Sequence, residues 1–120
     1  FSGWSPLKDP SKEKMTGGNW RIWGLHALQP RLGLFDGHEK SIPYDYDAIF
    51  RLIIPRPMLL VTPKRNRYAD HDAITDLLRS LKSKDPDAFK DSLTWLEPDD
   101  VDRFQKDQHM NFINWFRSLD

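Results

Sequence analysis

The sequence predicts an α/β fold built on a parallel sheet, and three segments carry that prediction. Pro57 to Thr62 (PMLLVT) is a short unbroken apolar run closed by prolines, which suits a strand buried on both faces. Ile74, Leu77, Leu78 and Leu81 then recur at i, i+3, i+4, i+7 spacing, the stripe of a helix lying on a core. Ser92 to Leu96 (SLTWL) sets β-branched and aromatic residues between Asp91 and Pro98 and reads as a second strand.

Along the chain, residues 1 to 24 are punctuated by Pro6, Pro10 and the Gly17-Gly18 pair too often for a long helix or strand, and read as a loop. Trp4, Trp20 and Trp23 each have about 200 Å² to bury, so this loop must cover something. Trp20 to Leu28 is expected to form a short helix ending before Pro30. Residues 29 to 47 read as an irregular connection with a turn at Asp36-Gly37. Residues 1 to 45 therefore form an irregular, lid-like region, and residues 46 to 120 run helix, strand, helix, strand, helix.

In that second part, Ile49, Phe50, Ile53 and Ile54 mark one face of a helix over Tyr46 to Ile54, with Asp45 or Asp47 suited to its first turn and Pro55 to stop it. Asp70 or Asp72 is the natural N-cap of the helix predicted over 72 to 82. A last helix over about 102 to 119 carries the stripe Phe112, Ile113, Phe116 and Leu119.

Composition narrows the function classes. Eighteen Lys and Arg balance eighteen Asp and Glu over 120 residues, which removes the basic footprint of a nucleic-acid binder. No apolar run approaches the ~20 residues of a membrane span. With no cysteine there is no disulfide framework, thiolate metal site or thiol nucleophile. The four histidines, His26, His38, His71 and His109, lack metal-ligand spacing, and no metal or cofactor is expected. The chain opens at Phe1 with no leader pattern, and two strands are too few for a covered parallel sheet. We therefore expect one end of a larger α/β domain, with the rest of that domain or another chain completing the sheet. An apolar face along Met58 to Val61 should then be exposed on the isolated piece.

Three segments together bear a resemblance: PRLGLFDGHEKSIPYDYDAI (30 to 49), LIIPRPMLLVTPKRNRYADHDAI (52 to 74) and WLEPDDVDRFQKDQHMNFINWF (95 to 116). In order and spacing they resemble the carboxyl-terminal part of α/β-hydrolases of the dienelactone hydrolase and acetyl xylan esterase type. The strand entry Ile54-Pro55-Arg56-Pro57 ahead of Met58 to Pro63 is typical of that group. The resemblance implies that the two strands are the last two of the hydrolase sheet and that the final helix closes the domain. It further implies a serine esterase acting on acyl esters of small molecules or carbohydrates. Its nucleophile elbow, Gly-x-Ser-x-Gly, would lie upstream, since no serine here sits in that motif.

The same resemblance places the triad acid between Lys64 and Asp72, and the position aligned with it is Asn66. An Asn in place of the carboxylate lowers turnover about 10⁴-fold in a serine triad. Asp70 is then the candidate catalytic acid, although its place at a helix start equally suits an N-cap. The histidine should follow the last strand, yet Glu97 to Arg103 (EPDDVDR) contains none, and His109 falls inside the last helix. His71 reads as a solvated first-turn residue, His26 as packed beside Trp23, and His38 as exposed after Gly37. Asp45 and Asp47 beside Tyr44 and Tyr46 fit either sugar binding or helix-start electrostatics. Besides the esterase, a catalytically silent hydrolase-like binding or structural protein and a free-standing α/β interaction domain stay open.

Overall fold

The computed structural model describes residues 4–9, 16, 18–25 and 29–119. A single helical turn, α1 (Gly18–Trp20), passes into a π-type turn over Arg21–Leu25. Two 3-10 turns follow, Pro30–Phe35 and Glu39–Ser41, then α2 (Tyr46–Ile53), β1 (Met58–Val61), α3 (His71–Lys84), α4 (Pro86–Lys90), β2 (Leu93–Leu96) and α5 (Lys106–Arg117). β1 and β2 pair in parallel, Met58 with Leu93 through Val61 with Leu96. This is the predicted α/β arrangement, with α3 and α4 forming the crossover.

Side-chain chemistry sets the helix limits. Asp45 caps α2, accepting from Tyr46 N, and Asp70 caps α3, its Oδ1 accepting from Ala73 N at 3.1 Å. Lys82 and Lys84 close α3 at its negative end. Asp85 ends α3 and caps α4, where Pro86 supplies a preset first-turn φ. Periodicity did not reveal α4, because five residues are too few to show a stripe.

The core has two parts. Ile74, Leu78 and Leu81 of α3 are buried, as predicted, against Phe50, Met58, Leu60, Phe89 and Leu93. Leu7, Leu32 and Ile42 form a second cluster, with Trp23 and Phe35 against it. Tyr46 packs on both and joins them. The connection over 29 to 47 is thus more ordered than expected, since it holds two 3-10 turns and a small core of its own. Gly33 admits that packing: a Cβ there would meet Trp23 Cε3 at 3.0 Å. Gly37 takes φ +77° in the predicted turn after Asp36.

Three further expectations need correction. The helix expected over Trp20 to Leu28 is the α1 and π-type turn just described, and residues 26 to 28, with His26, lie outside the described residues. The last helix begins at Lys106, because the Asp100 carboxylate takes Val101 N and Arg103 Nε and folds the preceding segment into a loop. Met58, Leu60 and Val61 are buried, covered within the chain by the α3 core. An exposed apolar stripe lies on α5 instead, where Phe112 is 48% and Phe116 61% exposed, and Leu34 and Leu52 are exposed elsewhere.

Candidate functional site

Parallel strands send both chain exits to the same sheet edge, the edge where open α/β sheets hold ligands. The backbone pairing continues beyond the strands. Thr62 N donates to Leu96 O at 2.9 Å, Lys64 N to Pro98 O at 3.0 Å and Arg65 N to Asp100 O at 2.9 Å. The two loops that follow β1 and β2 are therefore stitched side by side. Trp95 Nε1 donates to the buried Thr62 Oγ1 at 2.7 Å at the same edge.

Charged groups tie the loops further. Arg65 Nε stands 3.1 Å from Asp99 Oδ1, and its guanidinium also donates to Asp99 O. Both side chains are exposed, so the pair contributes little energy and mainly sets geometry. The hydrogen bond from Arg103, with that from Val101 N, holds the Asp100 carboxyl below its ordinary range. A cleft of about 320 Å³ opens here, lined by Arg65, Asn66, Arg67, Tyr68, Val101 and Asp102. The guanidinium carbons of Arg21 and Arg67 each lie 4.6 Å from the Tyr68 ring centroid, and Arg67 also donates to the Tyr68 hydroxyl.

Each sequence candidate now has a place. Asn66 is buried, and its Oδ1 accepts from Tyr68 N at 2.9 Å, the role of a turn former. Asp70 is half-buried at the start of α3; its own N–H donates to the fully buried Ser5 Oγ at 2.8 Å. His38 is exposed, and His109 lies in α5 with its ring 4.2 Å from that of Phe104. The Asp45 carboxylate is buried and taken up by backbone donors Leu7 N (2.8 Å), Lys8 N (3.0 Å) and Tyr46 N (2.7 Å). These contacts favour the helix-start reading of Asp45 over sugar binding. Burial first, then the Asp45 charge and Tyr44, raises the Tyr46 phenol above its ordinary range.

His71 departs from the sequence reading. Its side chain is 23% exposed, and Nε2 lies 3.2 Å from Glu97 Oε1 on the β2 exit. Nε2 is buried, at ion-pair distance from the carboxylate but not aligned with it as a hydrogen bond. Neither residue signals this in sequence, since 26 positions separate them and each is an ordinary surface type beside other charges. A helix start facing a strand exit across a βαβ unit was the available clue.

A second cleft of about 610 Å³, mostly apolar, is lined by residues of the 29–44 region including Pro30, Phe35, Pro43 and Tyr44. It shares no residue with the sheet edge, where the ionisable groups described above converge. Among the described residues no group of three His, Asp or Glu is arranged to hold a metal, and no helix is long and apolar enough to cross a membrane. No family model, curated protein or solved structure matches this chain.

Proposed function

We propose that this chain is the carboxyl-terminal portion of an α/β-hydrolase-type serine esterase that cleaves acyl esters of small molecules or carbohydrates. The observation that carries the reading is the stitched pair of loops at the carboxyl edge of β1 and β2. In the order that the resembling hydrolases use, these loops deliver acid and base to a serine. Here they bring Asp70, His71 and Glu97 to the same edge of the sheet. The serine and the oxyanion donors come from outside these 120 residues, as does the sheet that continues from β1 and β2. The exposed stripe of α5 supports an unfilled contact of this kind: Phe112, Ile113 and Phe116 are all accessible.

Treatment of the full-length protein with a fluorophosphonate probe, followed by intact mass measurement, tests the reading. A single adduct on a serine upstream of Phe1 is expected. A folded full-length protein that takes no adduct and hydrolyses no aryl ester refutes it.

A second reading is a hydrolase-like binding or structural protein without turnover. Asn66 favours it, being buried and committed to the turn at the position aligned with the acid. The absence of a histidine between Glu97 and Arg103 favours it too. The same probe decides between the two.

A further inference from the structure

We propose that His71 and Glu97 form the proton-transfer pair of this site, with their loops exchanged: the base follows the first strand of the pair and its orienting carboxylate follows the second. The inference rests on the esterase reading and names the residues that would serve it.

Nothing between Glu97 and Arg103 can accept a proton near neutral pH as an imidazole does, and Asn66 carries no charge. The sheet edge nevertheless holds one imidazole and one carboxylate facing each other, His71 Nε2 at 3.2 Å from Glu97 Oε1. His71 is the first residue of α3, held there by the Asp70 cap. Asp70 in turn is anchored by the donation of its N–H to Ser5 Oγ. Glu97 follows the last residue of β2, where the Thr62–Leu96 and Lys64–Pro98 backbone bonds hold the chain on either side. Both groups therefore stand on fixed backbone, as a relay needs.

The local charges suit the task. Glu97 Oε1 faces the ring, and Asp70 and Asp72 flank His71 in the chain, so acidic groups surround the imidazole. A carboxylate facing Nε2 fixes the proton on that nitrogen and leaves Nδ1 to accept another. The pair is out of alignment at rest, and such bonds often tighten only when substrate is bound.

In the first half-reaction the serine oxygen attacks the ester carbonyl carbon and its proton passes to His71 Nδ1. The carbon–oxygen bond to the alcohol then breaks, the alcohol leaves with that proton, and the acyl group stays on serine. Water attacks the acyl carbon in the second half, losing a proton to Nδ1. Serine departs, recovers that proton, and the carboxylic acid is released. Glu97 stabilises the imidazolium in both halves and stays ionised.

The test uses full-length protein and compares the wild type, His71→Ala and Glu97→Gln for the rate and pH profile of fluorophosphonate labelling. His71→Ala should slow labelling about 10²–10⁴-fold. Glu97→Gln, close in shape, should slow it less and alter the pH profile of the rate, because the carboxylate that faces the ring is gone. Wild-type labelling with both variants unaffected overturns the pair and leaves the esterase reading standing. Loss on Asp70→Asn with an unmoved Glu97→Gln profile overturns it in favour of Asp70. A wild type that never labels refutes the esterase reading, and the catalytic role of the pair with it. If His71→Ala does not fold, the Glu97→Gln profile alone decides.

Discussion

Trp95 Nε1 donates a 2.7 Å hydrogen bond to Thr62 Oγ1, joining β2 to the residue that leaves β1. Thr62 is 1% exposed and Trp95 half-buried, so the bond seals the sheet edge at the head of both exit loops. Thr62→Val keeps the shape and removes the acceptor. It should cost about 1–2 kcal/mol by urea denaturation, since the indole N–H loses its partner. Thr62→Ser, which keeps the hydroxyl, should recover most of that loss.

Asp45 is the corresponding tie between the amino-terminal segment and the α/β part. Its carboxylate accepts from three backbone N–H groups and is buried. Asp45→Ala should destabilise by about 2–3 kcal/mol, combining a lost helix cap with two orphaned donors. Asp45→Asn, with one acceptor oxygen remaining, should fall between the two. Equal stability of all three proteins in a denaturant titration would contradict the packing of residues 4–9 on α2.

Tyr46 makes the fold sensitive to alkali. Burial, the Asp45 charge and Tyr44 all raise its phenol above the ordinary value near 10. A group whose pKa is raised by folding lends stability that is whole below its unfolded pKa and is lost as pH rises through the folded one. The melting temperature should therefore fall as pH climbs above about 10. In Tyr46→Phe that part of the fall should be absent, with stability at pH 7 changed mainly by loss of the hydroxyl. An unchanged alkaline slope in the variant would refute the assignment.

The α5 surface should matter for association rather than for the stability of the described fold. Phe112 and Phe116 are exposed and touch each other, with ring centroids 6.3 Å apart. Replacing both with Glu should change the unfolding free energy of these 120 residues by less than about 0.5 kcal/mol, as for surface changes generally. It should suppress concentration-dependent association in sedimentation velocity. In the full-length protein the same change should be strongly destabilising if α5 closes the larger domain.

The α3 stripe and the unbroken run at Met58 were legible because burial writes itself into local periodicity. The α3 cap was legible as Asp70 or Asp72, because an N-cap side chain bonds within three residues of itself. Asp45 was legible only as a first-turn charge, and its capping bond was seen in the structure. Boundaries shifted where a side chain redirected the chain, as Asp100 does before α5. The resemblance aligned Asn66 with the triad acid, and only the structure showed its burial and its bond from Tyr68 N.

The sequence by itself determined an α/β chain with two strands separated by a helix, free of cysteine and of net charge, with no histidine between Glu97 and Arg103. Only the tertiary structure decided that the strand at Met58 is covered from within and that α5 carries an open apolar stripe. Only it brought His71 to Glu97. Local order follows from neighbours a few residues apart, which a sequence displays directly. The meeting of a helix start with a strand exit 26 residues away depends on the parallel pairing between them, and no local pattern records that.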